Sequence, residues 1–280
     1  MSDNLISNKT YEQAIQNHER NNFQIAEKLY NEILKKDPNN FKILNNLGVL
    51  YITINEPKKA IKCYEKANEI NPNDVTTLNN LGLAFQKLKD YKNATSSFEK
   101  VIEIDSNNER GYFNLGTEFN RLQKYPEAIN CFQKAVKIAP NYFIAQNNLG
   151  NIFHALGRYQ EAISCYEKAI ATNPNYAATY NNYGAILNSL GDHQKALNYF
   201  EKAAEINPDY LSPKKNISKL HISLLKDLDN TGFDKAINSS YQTLKIQKKQ
   251  LKFVNQKISL FKLKHDVEQA KYITQKSKIF

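Results

Sequence analysis

The sequence predicts an all-α protein, a solenoid of stacked helix–turn–helix units. Three observations carry that expectation. Pro38, Pro72, Pro140, Pro174 and Pro208 fall on one grid of step 34, with Ser106 at the single grid point that lacks proline. Gly48, Gly82, Gly116, Gly150 and Gly184 keep the same step, as do Ala26, Ala60, Ala94, Ala128, Ala162 and Ala196. An aromatic recurs once per period at Tyr30, Tyr64, Phe98, Phe132, Tyr166 and Phe200. A fixed period of this size marks a repeat architecture. One unit cannot bury its apolar face alone, and stacked neighbours complete a continuous core.

Six units follow from the grid, at 7–40, 41–74, 75–108, 109–142, 143–176 and 177–210. Numbered 1–34, each reads as two amphipathic helices. In the first, helix A, Leu44, Leu47, Gly48 and Tyr51 recur at i, i+3, i+4 and i+7, which is one helical face. In the second, helix B, Ala60, Ile61, Tyr64 and Ala67 do the same. Small residues at positions 8 and 20 let the two backbones approach closely, where a larger side chain would introduce overpacking strain of about 1–3 kcal/mol. Proline at position 32 lacks an N–H and disfavours helix at the residue before it, so it ends helix B. The first unit is looser, with Ala14 in the glycine slot.

After residue 210 the grid is expected to slip. Ser212 and Pro213 read as an N-cap and first helical residue, and Ile217, Leu220, Leu224 and Leu228 continue a helix face. Gly232-Phe233-Asp234-Lys235-Ala236-Ile237 looks like the start of another helix B, six residues late. Residues 211–250 are therefore read as a degenerate seventh repeat, and residues 251–280 as a basic helical cap or tail. Terminal repeats need a polar outer face, and the lysines there supply one.

The net charge of +10 is unevenly placed. Residues 1–210 are neutral, with 23 Lys and Arg against 23 Asp and Glu, and the excess lies wholly in residues 211–280. Any reading as a nucleic-acid binder would rest on that segment alone. No apolar run is long enough to span a bilayer, and the N-terminus has no secretory signal pattern. Three cysteines with no signal read as reduced thiols in a cytoplasmic setting. The sequons at Asn8 and Asn216 carry no meaning in such a compartment.

The small–large pattern at positions 7, 8, 11, 20, 24, 27 and 32 resembles the tetratricopeptide repeat. The likeness covers about 200 of the 280 residues, with a weak position 4 (Leu44, Leu78, Tyr112, Gln146, Tyr180). It implies right-handed stacking, with helix A on a concave inner surface lined by positions 2, 5, 6, 9, 12 and 13. Such grooves hold protein segments, so the resemblance points to an interaction scaffold.

Position 6 is asparagine in five units: Asn46, Asn80, Asn114, Asn148 and Asn182. Position 5 is asparagine in four: Asn45, Asn79, Asn147 and Asn181, with Phe113 as the exception. Asparagine is a poor helix former because its side chain competes for backbone hydrogen bonds, so paired asparagines in mid-helix need an offsetting use. A side-chain amide offers one acceptor and a donor group together, which matches a peptide bond. The nine asparagines are therefore the candidate peptide-binding residues. The position 6 row resembles the asparagine ladder in the repeat arm of the protein O-linked N-acetylglucosamine transferases. That likeness suggests an alternative, a substrate-recruiting arm of a larger glycosyltransferase-like or oxygenase enzyme whose catalytic domain is elsewhere. A plain compositional reading also stands, since 37 of the 280 residues are asparagine.

A carboxylate clamp for acidic C-terminal peptides would need Lys or Arg at positions 5, 2 and 6 of adjacent units. Positions 5 and 6 are never basic here, and Lys42 and Arg110 at position 2 are in non-adjacent units. The sequence contains no phosphate loop, dinucleotide glycine motif or zinc-protease motif, and its scattered histidines suggest no metal site. No cofactor and no catalytic activity are expected. Cys63, Cys131 and Cys165 share position 23. Adjacent units would place them about 10 Å apart, beyond the roughly 7 Å limit for a disulfide, so they read as small buried hydrophobes.

Overall fold

The computed structural model describes the backbone of residues 2–226 and the side chains of residues 9–221. The described residues form thirteen α-helices and no strand. The A helices are α1 (Ser2–Glu19), α3 (Phe41–Thr53), α5 (Val75–Lys87), α7 (Glu109–Arg121), α9 (Phe143–Ala155) and α11 (Ala177–Ser189). The B helices are α2 (Phe23–Lys36), α4 (Pro57–Ile70), α6 (Tyr91–Ile104), α8 (Tyr125–Ile138), α10 (Tyr159–Thr172) and α12 (His193–Ile206). The last helix is α13 (Leu211–Lys226). The account below concerns the compact unit Met1–Asn216. Most of the expected seventh repeat and the cap at 251–280 lie outside the described residues.

Each A helix packs on its own B helix, and each B helix packs on the next A helix. In addition α3 touches α5, and α9 touches α11. Contacts of this kind run only between neighbours, which is the signature of a solenoid.

The buried centre of each pair is the recurring aromatic. Tyr30, Tyr64, Phe98, Phe132, Tyr166 and Phe200 are all nearly inaccessible to solvent. Position 8 glycine leaves the space that the ring fills. A Cβ on Gly82 would lie 2.5 Å from Phe98 Cε1, and one on Gly150 would lie 2.5 Å from Tyr166 Cε1. The close approach inferred from the small residues is thus specifically the approach of a ring to a bare backbone.

Every B helix stops two residues before the grid point. The residue between is extended, as at Asn71 (φ −134°) and Asn173 (φ −138°), which is the conformation a following proline imposes. Asp105 has the same shape (φ −128°) although Ser106 follows it. The turn therefore tolerates loss of the proline once neighbouring units fix it.

Helix A ends in a device not read from the sequence. Position 15 has positive φ in all six units: Asn21, Asn55, Lys89, Gln123, Gly157 and Gly191. The N–H of position 16 donates to the carbonyl of position 11, as in Glu56 to Tyr51 at 2.7 Å and Lys124 to Phe119 at 2.8 Å. The N–H of position 15 donates to position 12, as in Gln123 to Asn120 at 3.0 Å. These paired bonds define the Schellman motif.

The expected slip after residue 210 does not occur at the start of α13. The helix begins at Leu211, on the grid point that follows Phe41, Val75, Glu109, Phe143 and Ala177. Ser212 is therefore inside the helix and not its N-cap. Pro213 sits in the first turn, where a missing N–H breaks no intrahelical bond. At 16 residues α13 is longer than the 13 of α11.

Candidate functional site

The two asparagine rows differ in what they do, although they are adjacent in sequence. At position 5, Asn79, Asn147 and Asn181 are buried, and Asn45 is half-buried. Their carbonyl oxygens accept from the next unit. Asn114 Nδ2 donates to Asn79 Oδ1 at 3.1 Å, Asn182 Nδ2 to Asn147 Oδ1 at 3.2 Å, and Asn216 Nδ2 to Asn181 Oδ1 at 3.0 Å. Position 3 threonines join in: Thr77 Oγ1 donates to Asn45 Oδ1 at 2.9 Å, and Thr179 Oγ1 to Asn147 Oδ1 at 3.1 Å. Burying an unsatisfied amide carries a penalty of about 1–3 kcal/mol. These bonds remove that penalty and fix one A helix against the next.

The donor ends of the position 5 amides are also satisfied. Asn45 Nδ2 donates to the Phe41 carbonyl at 3.2 Å and Asn79 Nδ2 to the Val75 carbonyl at 3.1 Å, one turn back. Asn147 Nδ2 and Asn181 Nδ2 lie 3.4 Å and 3.3 Å from the Oδ1 of Asn148 and Asn182. Position 5 is thus a framework row.

The position 6 row lies at the surface side of the same helices, and all five members are half-buried. Asn46 and Asn80 make no side-chain hydrogen bond among the described residues. Asn148 only accepts, through Oδ1, from its neighbour. Asn114 and Asn182 donate to the framework, and Asn182 Nδ2 also reaches Asn151 Oδ1 at 2.8 Å. Asn151 in turn accepts from the buried Tyr166 hydroxyl at 2.7 Å, so the core ring is linked to Asn182 of the row through Asn151.

Asn216, Asn151, Thr77 and Thr179 were not singled out from the sequence. Asn216 was legible in principle, since it lies one grid step of 34 beyond Asn182. The others sit at positions whose partners depend on how one unit is rotated on the next.

Phe113, which replaces asparagine in the fourth unit, stacks with Tyr142 at 5.0 Å and Phe132 at 5.7 Å between ring centroids. It fills with aromatic packing the space that an amide pair occupies elsewhere.

The titratable groups that could suggest chemistry are held in packing roles. His18 sits edge-on to Phe23 and Tyr30, and burial lowers its pKa. His154 packs on Tyr159 and is lowered for the same reason. Cys63 is half-buried, and Cys131 and Cys165 are buried; all are unpaired. Burial pushes each thiol up to about 11, which is opposite to the activation a nucleophilic cysteine needs. Among the described residues, no group of three or more His, Cys, Asp or Glu could hold a metal ion. No described helix is long and apolar enough to cross a membrane.

Helix pairs with this period, a ring-on-glycine core and an A-helix face open to solvent define a helical-repeat protein of the kind that presents one long side to other molecules. Tetratricopeptide repeat models match residues 74–141, 108–172 and 141–209, and a further one matches 41–74. These matches cover more than half of the sequence, and the chain belongs to the tetratricopeptide repeat family.

No curated protein matches the chain. Similar solved structures include MamA, at 28% identity over 58% of this chain and 95% of that one, with a TM-score of 0.53. YrrB, described as a TPR protein with an unusual peptide-binding site, is 24% identical over 67% and 96%, with a TM-score of 0.53. PilF of Pseudomonas aeruginosa is 18% identical over 78% and 100%, with a TM-score of 0.65.

Proposed function

We propose that the chain is a protein-interaction scaffold that holds an extended peptide along its A-helix face, with the position 6 asparagines as the contacts to the peptide backbone. The observation that carries this reading is the division between the two rows. The framework row (Asn45, Asn79, Asn147, Asn181) is hydrogen-bonded within the protein, while Asn46 and Asn80 keep their whole amides for a partner and Asn148 keeps its NH₂. Each such amide offers a peptide bond the donor or acceptor it lacks. In this reading the position 5 asparagines act by fixing the helices that carry position 6, and their poor helix propensity is offset by the bonds between units. Recognition of backbone more than side chains favours an extended segment, and the same fold carries a peptide-binding site in YrrB.

The test uses Asn46→Ala, Asn80→Ala and Asn148→Ala together in the full chain. Asn46 and Asn80 make no bond to the framework, and Asn148 gives it only the 3.4 Å acceptor of Asn147 Nδ2, so the fold should be kept with a stability loss of about 1–3 kcal/mol at most. The probe is a fluorescent twelve-residue peptide selected on the parent protein from a random displayed library. A neutral hydrogen bond contributes about 0.5–1.5 kcal/mol, so the triple variant should lose at least about tenfold in affinity with an unchanged helical circular dichroism signal. Unchanged affinity would retire the asparagine row as the site.

A further inference from the structure

We infer that the segment taken by this face is acidic, with Asp and Glu side chains set against Lys87, Arg110 and Arg121; this rests on the groove reading above and narrows it.

The argument is one of charge placement. Residues 1–210 are neutral overall, but the acids and bases are not mixed alike on the two helix sets. Helices α3, α5, α9 and α11 contain no Asp or Glu at all. In α7 the acids are Glu109, at the first residue, and Glu118, which is fully buried. The B helices, by contrast, each carry at least one glutamate, as Glu65 and Glu69 in α4 and Glu99 and Glu103 in α6. Positions 2, 6, 9 and 13 fall on one stripe of helix A by the i, i+4, i+7, i+11 spacing. On that stripe the third and fourth units place Lys87, Arg110 and Arg121, all exposed, beside Asn80 and Asn114. In the second to sixth units this stripe carries cations and amides but no carboxylate, whereas α1 places the exposed Glu12 and Glu19 at positions 6 and 13 of the first unit. Around Lys87, Arg110 and Arg121 the face therefore favours anionic partners and repels cationic ones.

Arg121 is held more firmly than an ordinary surface arginine. Its guanidinium carbon lies 5.0 Å over the Tyr91 ring. Its Nε lies 3.7 Å from Glu118 Oε1, and the Arg121 side chain remains 43% exposed. Glu118 is itself fixed by Gln86 Nε2 from the preceding unit. A guanidinium held at Nε keeps its terminal NH₂ groups for another carboxylate, and a pre-positioned fork loses less entropy on binding. Lys87 is at the same position 13 in the neighbouring unit, its Nζ 3.3 Å from the Ile52 carbonyl. The two cations therefore stand in line along the stack.

The experiment selects random twelve-residue displayed peptides on the full chain and, in parallel, on Lys87→Gln, Arg110→Gln and Arg121→Gln combined. We expect Asp and Glu to be enriched severalfold on the parent and to fall to the library background on the variant. A selected acidic peptide should lose about tenfold in affinity for the variant, and its own Asp→Asn, Glu→Gln form should lose as much on the parent. Binding should also weaken with added salt.

Neutral or basic selections would overturn the inference. So would acidic enrichment that survives in the variant, since it would then come from the lysines of residues 211–280. Neutral peptides that need Asn46, Asn80 and Asn148 would sink the charge inference and leave the groove reading. Acidic peptides that need the three cations and ignore the asparagines would do the reverse. Peptides indifferent to both sets would remove both.

Discussion

Asn79 and Asn80 have the same side chain and neighbouring places on α5, yet one is buried and doubly bonded while the other keeps its amide unbonded. A rotation of 100° per residue along a helix is enough to separate a framework from a contact. The same scale governs position 15. Glycine at φ 72° or 82° is at ease there, whereas Lys89 at 61° and Gln123 at 59° hold a conformation that Cβ makes unfavourable by about 1–2 kcal/mol. Gln123→Gly should therefore raise stability by up to about 1 kcal/mol, read as a higher urea midpoint. Gly82→Ala should lower it by about 1–3 kcal/mol, because Phe98 is fully buried and has no room to withdraw. The thiols give a pH dependence with a definite sign. Folding raises them from 9.0 to about 11, so between those values the unfolded chain binds fewer protons than the folded one. Stability contributed by the protonated thiols is full below about 9 and is lost as pH rises through about 11. At pH 8, iodoacetamide should label the folded chain far more slowly than the urea-unfolded chain; equal rates would contradict their burial.

Helix boundaries and the core are where the sequence was most legible. The proline grid located the ends of α2, α4, α8, α10 and α12, because a residue before proline is driven out of the helical region whatever surrounds it. The small residues at positions 8 and 20 were legible as a close approach of two backbones, but not that the position 24 ring is what fills the space over the position 8 glycine. What was not legible depends on how units are rotated on each other. The bond from position 6 of one unit to position 5 of the unit before has a sequence separation of 35, and no single helix contains it. Ser212 and Pro213 misled because both are helix-start residues, while the packing of the repeat placed the start at Leu211. Glu118 is a further case. The equivalent positions in the second, third, fifth and sixth units are Leu50, Ala84, Ile152 and Ile186, all buried, and Glu118 Oε2 has no hydrogen-bond partner among the described residues. Replacing a buried, half-satisfied carboxylate with a well-packed hydrophobe is commonly stabilising by about 1–4 kcal/mol. Glu118→Leu should raise the melting temperature. A drop would mean that the Gln86 bond and the Arg121 pair outweigh the desolvation.

Across the unit Met1–Asn216, each helix packs mainly on its neighbours in sequence order, with smaller contacts between successive A helices such as α3 with α5 and α9 with α11, so stability is a sum of local terms and end helices have fewer of them. Hydrogen exchange should be fastest in α1, which packs on α2 alone among the principal contacts, and slowest in α5–α10. The charge pattern is also a property of the stack, because only the alignment of the A helices of the second to sixth units brings Lys87, Arg110 and Arg121 together on one side away from the exposed Glu12 and Glu19 of α1. The framework asparagines serve that alignment, and the position 6 asparagines are carried by it. The most direct measurement follows the side-chain amides themselves by nitrogen–proton correlation NMR, during titration with a library-selected peptide. The account predicts large shifts of the Nδ2 groups of Asn46, Asn80 and Asn148, and small ones for Asn79, Asn147 and Asn181. Shifts confined to B-helix residues, or equal movement in both asparagine rows, would contradict it.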